Sequence, residues 1–173
     1  LALLGVALAP VLVSLFTPGF DGLQRELTIG LVRILFPMTG VLVLSAWSLG
    51  ILNSHRSFFV PYVAPVLWNA AMIAALLVFG PGRAQPDLVI LLGWSALAGG
   101  VLQFLIQLPW VFRLERSFRP SFDARFDAAR RTIRNAGPAT VGRGVVQVST
   151  YVDLILASLL VEGAVAVLGY AQA

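Results

Sequence analysis

Long apolar runs alternate with short polar connections along this chain. The runs cover 28–52, 61–80, 88–112 and 138–161, and a further apolar stretch opens the chain at 1–17. A helix needs roughly 20 mostly apolar residues to cross the hydrocarbon layer of a bilayer, and most of these runs reach that length. None alternates apolar and polar positions as a half-buried strand would. With no water in a bilayer core, amides and carbonyls must pair within each segment, so the runs are predicted as helices. Five crossings follow, and a sixth begins near Val165. The predicted fold class is all-α, a polytopic transmembrane helix bundle.

The connections differ in charge, and the difference predicts orientation. Loop 18–27 carries Arg25 beside Asp21 and Glu26, and loop 81–87 carries Arg83 beside Asp87. Loop 53–60 carries Arg56 and His55, and loop 113–137 carries Arg113, Arg116, Arg119, Arg125, Arg130, Arg131 and Arg134. Alternate loops share a side, so one side holds eight loop arginines and the other two. Basic loops stay in the cytoplasm, which puts 53–60 and 113–137 inside. Within the long loop, Phe118, Phe122, Phe126, Ala129 and Ile133 recur at spacings of three and four. That pattern fits an amphipathic helix in the cytoplasmic interface, its Phe stripe in lipid and its arginines near anionic headgroups. The plainer reading is a solvated basic loop that sets topology.

Composition removes a soluble fold from consideration. The 173 residues are 58% hydrophobic and 12% charged, with a mean hydropathy of +0.89; soluble domains carry about twice that charged fraction. Cysteine is absent and His55 is the lone histidine, which argues against a disulfide framework or a thiolate or imidazole metal site. No cofactor is expected. The chain opens on Leu1 without a basic n-region, so 1–19 reads as part of a helix rather than a signal peptide. The chain is expected to be a piece of a longer protein.

Several polar and helix-breaking residues sit inside the apolar runs: Arg33, Pro37, Asn69, Gln103, Gln107, Arg143, Gln147 and Asp153. A charge at the centre of a membrane helix costs about 2.5–3.5 kcal/mol on insertion scales, so such residues face a partner, a cavity or an interface. Pro37 is expected to kink its span and free the carbonyl near Arg33. Arg33 lies near a span end, where its head can snorkel to the interface. Arg143 either snorkels or meets an anionic headgroup. Asp153 stands fifteen residues past Pro138, roughly 22 Å along a helix; it pairs with an arginine or binds a coupling cation or proton. Gln147 bonds between helices or to a sugar. Gln103 and Gln107, one turn apart, are expected to stitch helices together. Asn69 lies one turn after Pro65, where it meets either the disturbed backbone or a substrate.

Two blocks of residues carry a family resemblance. The first comprises Leu31-Val32-Arg33-Ile34-Leu35-Phe36-Pro37, Gly50-Ile51-Leu52-Asn53-Ser54, and Phe58-Phe59-Val60-Pro61-Tyr62-Val63-Ala64-Pro65-Val66-Leu67-Trp68-Asn69. The second comprises Gly137-Pro138-Ala139, Gly142, Gly144-Val145-Val146-Gln147-Val148, Val152-Asp153, Ala157-Ser158 and Gly169-Tyr170-Ala171. In order and spacing they resemble the MurJ/MviN family across nearly the whole chain.

The resemblance implies part of a fourteen-helix MATE-like flippase fold, from about the third helix to the start of the eighth. It implies residues 1–112 in an N-terminal lobe, 113–137 as a cytoplasmic basic linker, and 138–173 as the start of a C-terminal lobe. Members flip lipid II, the polyprenyl-pyrophosphate-linked peptidoglycan precursor, across the bacterial inner membrane. The implied activity is transport by alternating access, not enzyme catalysis. Lipid II, membrane lipids and a coupling cation or proton are the implied partners, with no nucleic acid. The family's cavity-facing Asn falls on Asn69, and its Tyr-Ala-(Asp/Asn/Gln)-Arg motif falls on Tyr170-Ala171-Gln172-Ala173, with Ala at the arginine position. Candidate substrate-binding residues are Asn69, Arg143, Gln147, Asp153 and Gln172. Two alternatives remain: a flippase for another polyprenyl-linked oligosaccharide, and a membrane enzyme acting on polyprenyl lipids. The enzyme would need clustered acids or histidines near one interface, whereas the acids here are scattered singly.

Overall fold

The computed structural model describes residues 2–114, 134, 136, 140, 144, 147–148, 150–160 and 164–172. Helix α1 spans Ala2–Phe16, α2 Gly22–Ser54, α3 Phe59–Phe79 and α4 Gln85–Leu114. Helix α5 covers 150–158, and α6 spans Ala164–Gln172. No strand occurs among the described residues. The predicted all-helical class is what the chain adopts, and α2, α3 and α4 are each long and apolar enough to cross a membrane.

Helices overrun their apolar runs at several ends. Helix α2 has 33 residues, about 50 Å at the standard rise, against a hydrocarbon thickness of about 30 Å. It starts at Gly22 rather than at 28 because Leu23, Gln24, Arg25 and Glu26 are good helix formers. Arg25 and Glu26 therefore lie on the helix, and Arg113 lies in the last turn of α4, where sequence reading had placed loops. Hydropathy detects only the part of a helix that matches lipid; helix propensity continues it into the interface. Helix α2 also continues unbroken through Pro37, and the Thr39 hydroxyl donates to the Phe36 carbonyl at 2.6 Å.

Local chemistry sets the reversals. After α2, Arg56 adopts φ 56°; its amide donates to Asn53 O at 3.0 Å, and the Ser57 amide to Leu52 O at 2.9 Å. These two bonds form a Schellman cap, which ordinarily favours glycine at the left-handed position. Between α3 and α4 the sequence is Gly80-Pro81-Gly82-Arg83. Gly82 has φ 78° and the Arg83 amide donates to Gly80 O at 3.1 Å. Proline at the second position and a left-handed glycine at the third make a type II turn.

The chain forms two compact units, Leu1–Leu12 with Asp21–Phe118, and Val13–Phe20 with Arg119–Ala173. In the first, α2 and α3 both pack chiefly against α4 and barely touch each other. The packed face of α4 is built from small residues, Gly93, Ser95, Ala96, Gly99 and Gly100, followed by Gln103, Gln107 and Val111. Lipid removes the hydrophobic drive between helices, so close approach of small residues and interhelical hydrogen bonds hold them. The Trp68 indole on α3 donates to Ala96 O at 3.0 Å. A Cβ on Gly99 would overlap Trp68 Cδ1 and come within 3.0 Å of Trp68 O. The outer face of α3 exposes Phe59, Tyr62, Val66, Ile73, Leu77 and Val78, an apolar surface suited to lipid rather than water. In the second unit, the Phe16 and Tyr151 rings meet at a tilt of 43° with centroids 5.0 Å apart.

Candidate functional site

The predicted site residues are divided between the two units. Asn69 is exposed on α3 of the first unit, one turn beyond Pro65. In the second unit, Gln147 is helical and exposed, and Asp153 is exposed on α5. A separation of six positions corresponds to about 240° around a helix at 3.6 residues per turn. Gln172 is the last residue of α6. Arg143 lies outside the described residues, as do Phe118, Phe122 and Phe126 of the predicted interface helix. Arg33 is exposed on α2. Arg113 stacks over the Trp110 ring at 5.4 Å near the end of α4, an amphipathic pair suited to a membrane–water boundary.

The polar chemistry buried most deeply lies elsewhere, at the α2–α4 contact. Gln103 and Gln107 do stitch helices, and their shared partner is Ser45 on α2. Gln103 Nε2 donates to Ser45 Oγ at 3.0 Å and Gln107 Nε2 at 2.8 Å. The three side chains are 8%, 1% and 3% exposed, respectively, for Gln103, Gln107 and Ser45. Gln103 Oε1, Gln107 Oε1 and Ser48 Oγ find no hydrogen-bond partner among the described residues. Beside them opens a cleft of about 160 Å³, lined by Ser45 and Leu49 of α2, Pro61 and Pro65 of α3, and both glutamines. Sequence reading identified the glutamines but not Ser45 or Ser48. Their three-residue spacing on an otherwise apolar span was the available signal, since small hydroxyl residues concentrate where membrane helices meet.

No group of three or more His, Cys, Asp or Glu that would hold a metal occurs among the described residues. The arrangement is one of neutral hydrogen-bonding groups and isolated charges on membrane helices. Such groups can hydrogen-bond polar solutes, and at the end of α2 Ser54 Oγ and His55 Nδ1 lie 3.2 Å apart.

Comparison with known proteins places this geometry in a family. The family model described as "Lipid II flippase MurJ" matches residues 1–173. The lipid II flippase MurJ of Burkholderia cenocepacia is 34% identical over 178 residues, covering 99% of this chain and 34% of that protein. A probable lipid II flippase MurJ of Rhizobium tropici is 35% identical over 167 residues, covering 94% and 31%. A counterpart in Haemophilus influenzae is 32% identical over 154 residues, covering 89% and 30%. The chain thus spans about a third of the length of the curated relatives it matches. The family is one of transporters, and a multi-pass membrane protein is what the long apolar helices require. With its model matched from the first residue to the last, this chain belongs to the lipid II flippase MurJ family.

Proposed function

We propose that the full protein containing this chain flips lipid II across the bacterial inner membrane by alternating access, supplying cell-wall synthesis. The family match along all 173 residues carries this reading. Lipid II bears a pyrophosphate, and an anion in a low-dielectric passage needs a countercharge. Arg143 supplies one, binding phosphate oxygens through its planar fork. Asn69, Gln147 and Gln172 offer neutral hydrogen bonds to the headgroup, and Asp153 binds a coupling cation or proton. Residues 1–112 form part of an N-terminal lobe, 113–137 a cytoplasmic linker and 138–173 the start of a C-terminal lobe. The test is rescue of a strain depleted of its own lipid II flippase by the full-length protein. Restored growth and lipid II translocation are expected. Growth restored without lipid II movement, or no rescue at normal membrane level, would overturn the assignment.

Orientation is testable separately. Segments 53–60 and 113–137 are cytoplasmic, and 18–27 and 81–87 periplasmic, because eight arginines in the loops and adjoining helix ends of one side stand against two on the other. Single cysteines replacing Ser54 and Gln85, probed with an impermeant thiol reagent in cells with a permeabilised outer membrane, should label at position 85 alone. Labelling at position 54 alone reverses the topology.

A further inference from the structure

The α2–α4 seam contains more buried polar groups than its own hydrogen bonds satisfy. Gln103 and Gln107 are more than nine-tenths buried, and each spends its Nε2 on the same Ser45 oxygen. Each Oε1 is left unpaired among the described residues, and both glutamines line the cleft. A buried amide oxygen without a donor costs about 1–3 kcal/mol, and the seam has two such oxygens. Pro61 and Pro65 also line the cleft, and the Pro61 carbonyl lacks the usual helical donor because proline at position 65 carries no amide hydrogen.

The choice of ligand follows from hydrogen-bond arithmetic. Ser45 Oγ can accept from both amides, or accept from one and donate its single proton to the other. Either way one end of each glutamine amide is left over. With both bonds as observed, the two leftover ends are oxygens; with one amide turned, they are an oxygen and an NH2. A phosphate or carboxylate would face acceptor oxygens and be repelled. A bare cation suits only the first arrangement, and no Asp or Glu lines the cleft to neutralise it. A hydroxylic species both gives and takes hydrogen bonds and satisfies both arrangements. The cleft's volume of about 160 Å³ is ample for a few water molecules, each needing two to four polar partners.

We propose that this seam is a water-binding site inside the membrane bundle, in which ordered water bridges Gln103, Gln107 and the Pro61 carbonyl. Its position supports filling from bulk. Gln107 is seven residues from the end of α4 at Leu114, about 10 Å along the axis, and Pro61 is the third residue of α3. Water in the seam replaces a rigid side-chain contact between α2 and α4 with exchangeable hydrogen bonds beside the proline-interrupted start of α3.

Radiolytic footprinting in H2(18)O tests the site, because hydroxyl radicals born from bound water oxidise the side chains next to it. The full-length protein is held in lipid nanodiscs without lipid II, so water is the available hydroxyl source. Leu42 and Leu49 line the cleft; Leu44 on α2 and Leu105 on α4 lie at similar depth on exposed faces. Leu42 and Leu49 should gain (18)O about tenfold faster than Leu44 and Leu105, as contact with bound water requires. Equal rates overturn the proposal. In the triple variant Ser45→Ala/Gln103→Leu/Gln107→Leu the excess should vanish, and its persistence removes these groups as the water ligands. If that variant does not fold, the comparison within the unaltered protein still decides. Exchange of sodium for choline should leave the rates unchanged. Sodium-dependent loss of labelling at Leu42 and Leu49 would instead make the site a cation site and overturn the proposal.

Discussion

Gly99→Leu should cut the amount of folded full-length protein in the membrane more than any other single change considered. The site has no room for a side chain. Even a Cβ there overlaps the Trp68 ring and approaches Trp68 O at 3.0 Å. The indole cannot swing aside freely, because its Nε1 donates to Ala96 O. Leucine must therefore push α3 away from α4 or displace Trp68 and break that bond. Overpacking of a tight contact costs about 1–3 kcal/mol, and loss of the Trp68 bond adds to it. In a marginally stable protein a loss on the order of 3 kcal/mol changes the folded-to-unfolded ratio by about a hundredfold. Gly99→Ala should have an intermediate effect. Gly50→Ala is the matched control, because nothing lies within 4 Å of a Cβ at that position. Membrane abundance and the melting temperature in detergent check the series. A Gly99→Leu protein that melts like Gly50→Ala would refute the close α3–α4 contact.

The second large effect concerns transport. In the full-length protein, Arg143→Ala and Asp153→Asn should each reduce lipid II translocation by roughly tenfold or more, the loss expected when one charge-assisted contact of about 1.5–3 kcal/mol is removed. Arg116→Ala, in the basic loop, should leave translocation near normal. Asp153 is exposed on α5 rather than packed within its unit, and asparagine keeps its shape, so protein level should hold while flipping falls. If Asp153 instead serves a structural ion pair, level, melting temperature and activity will fall together, because an uncompensated buried charge is left behind. Complementation of a flippase-depleted strain, with membrane protein quantified in parallel, separates the two. Full complementation by both variants at normal abundance would remove these residues from the mechanism.

Membrane helices are legible in a sequence because lipid imposes one rule on every residue of a span. Backbone groups must pair locally and most side chains must be apolar, so 61–80 and 88–112 were readable as spans, and Phe59–Phe79 and Gln85–Leu114 are helices. Motif spacing carried the family, since Pro61, Pro65 and Asn69 hold a fixed register along one helix. The ends of α2 were less legible, because beyond lipid the helix is continued by propensity, a weaker and unpatterned signal.

Contacts between helices were decided only in three dimensions. Periodicity showed that Gln103 and Gln107 share a face, but not that Ser45, some sixty residues earlier, would be their common acceptor. Nor did it reveal that the same arrangement leaves both amide oxygens without a partner among the described residues, on side chains that line a cleft. Gly99 is one of several small residues on the packed face of α4, and it is Trp68 on α3 that leaves it no room for a side chain. The physical reason is common to these cases. A span's fitness for lipid is a sum over its own residues, whereas a hydrogen bond or a steric contact depends on the relative rotation and depth of two helices. The amino-acid pattern along either helix alone does not contain that rotation or depth.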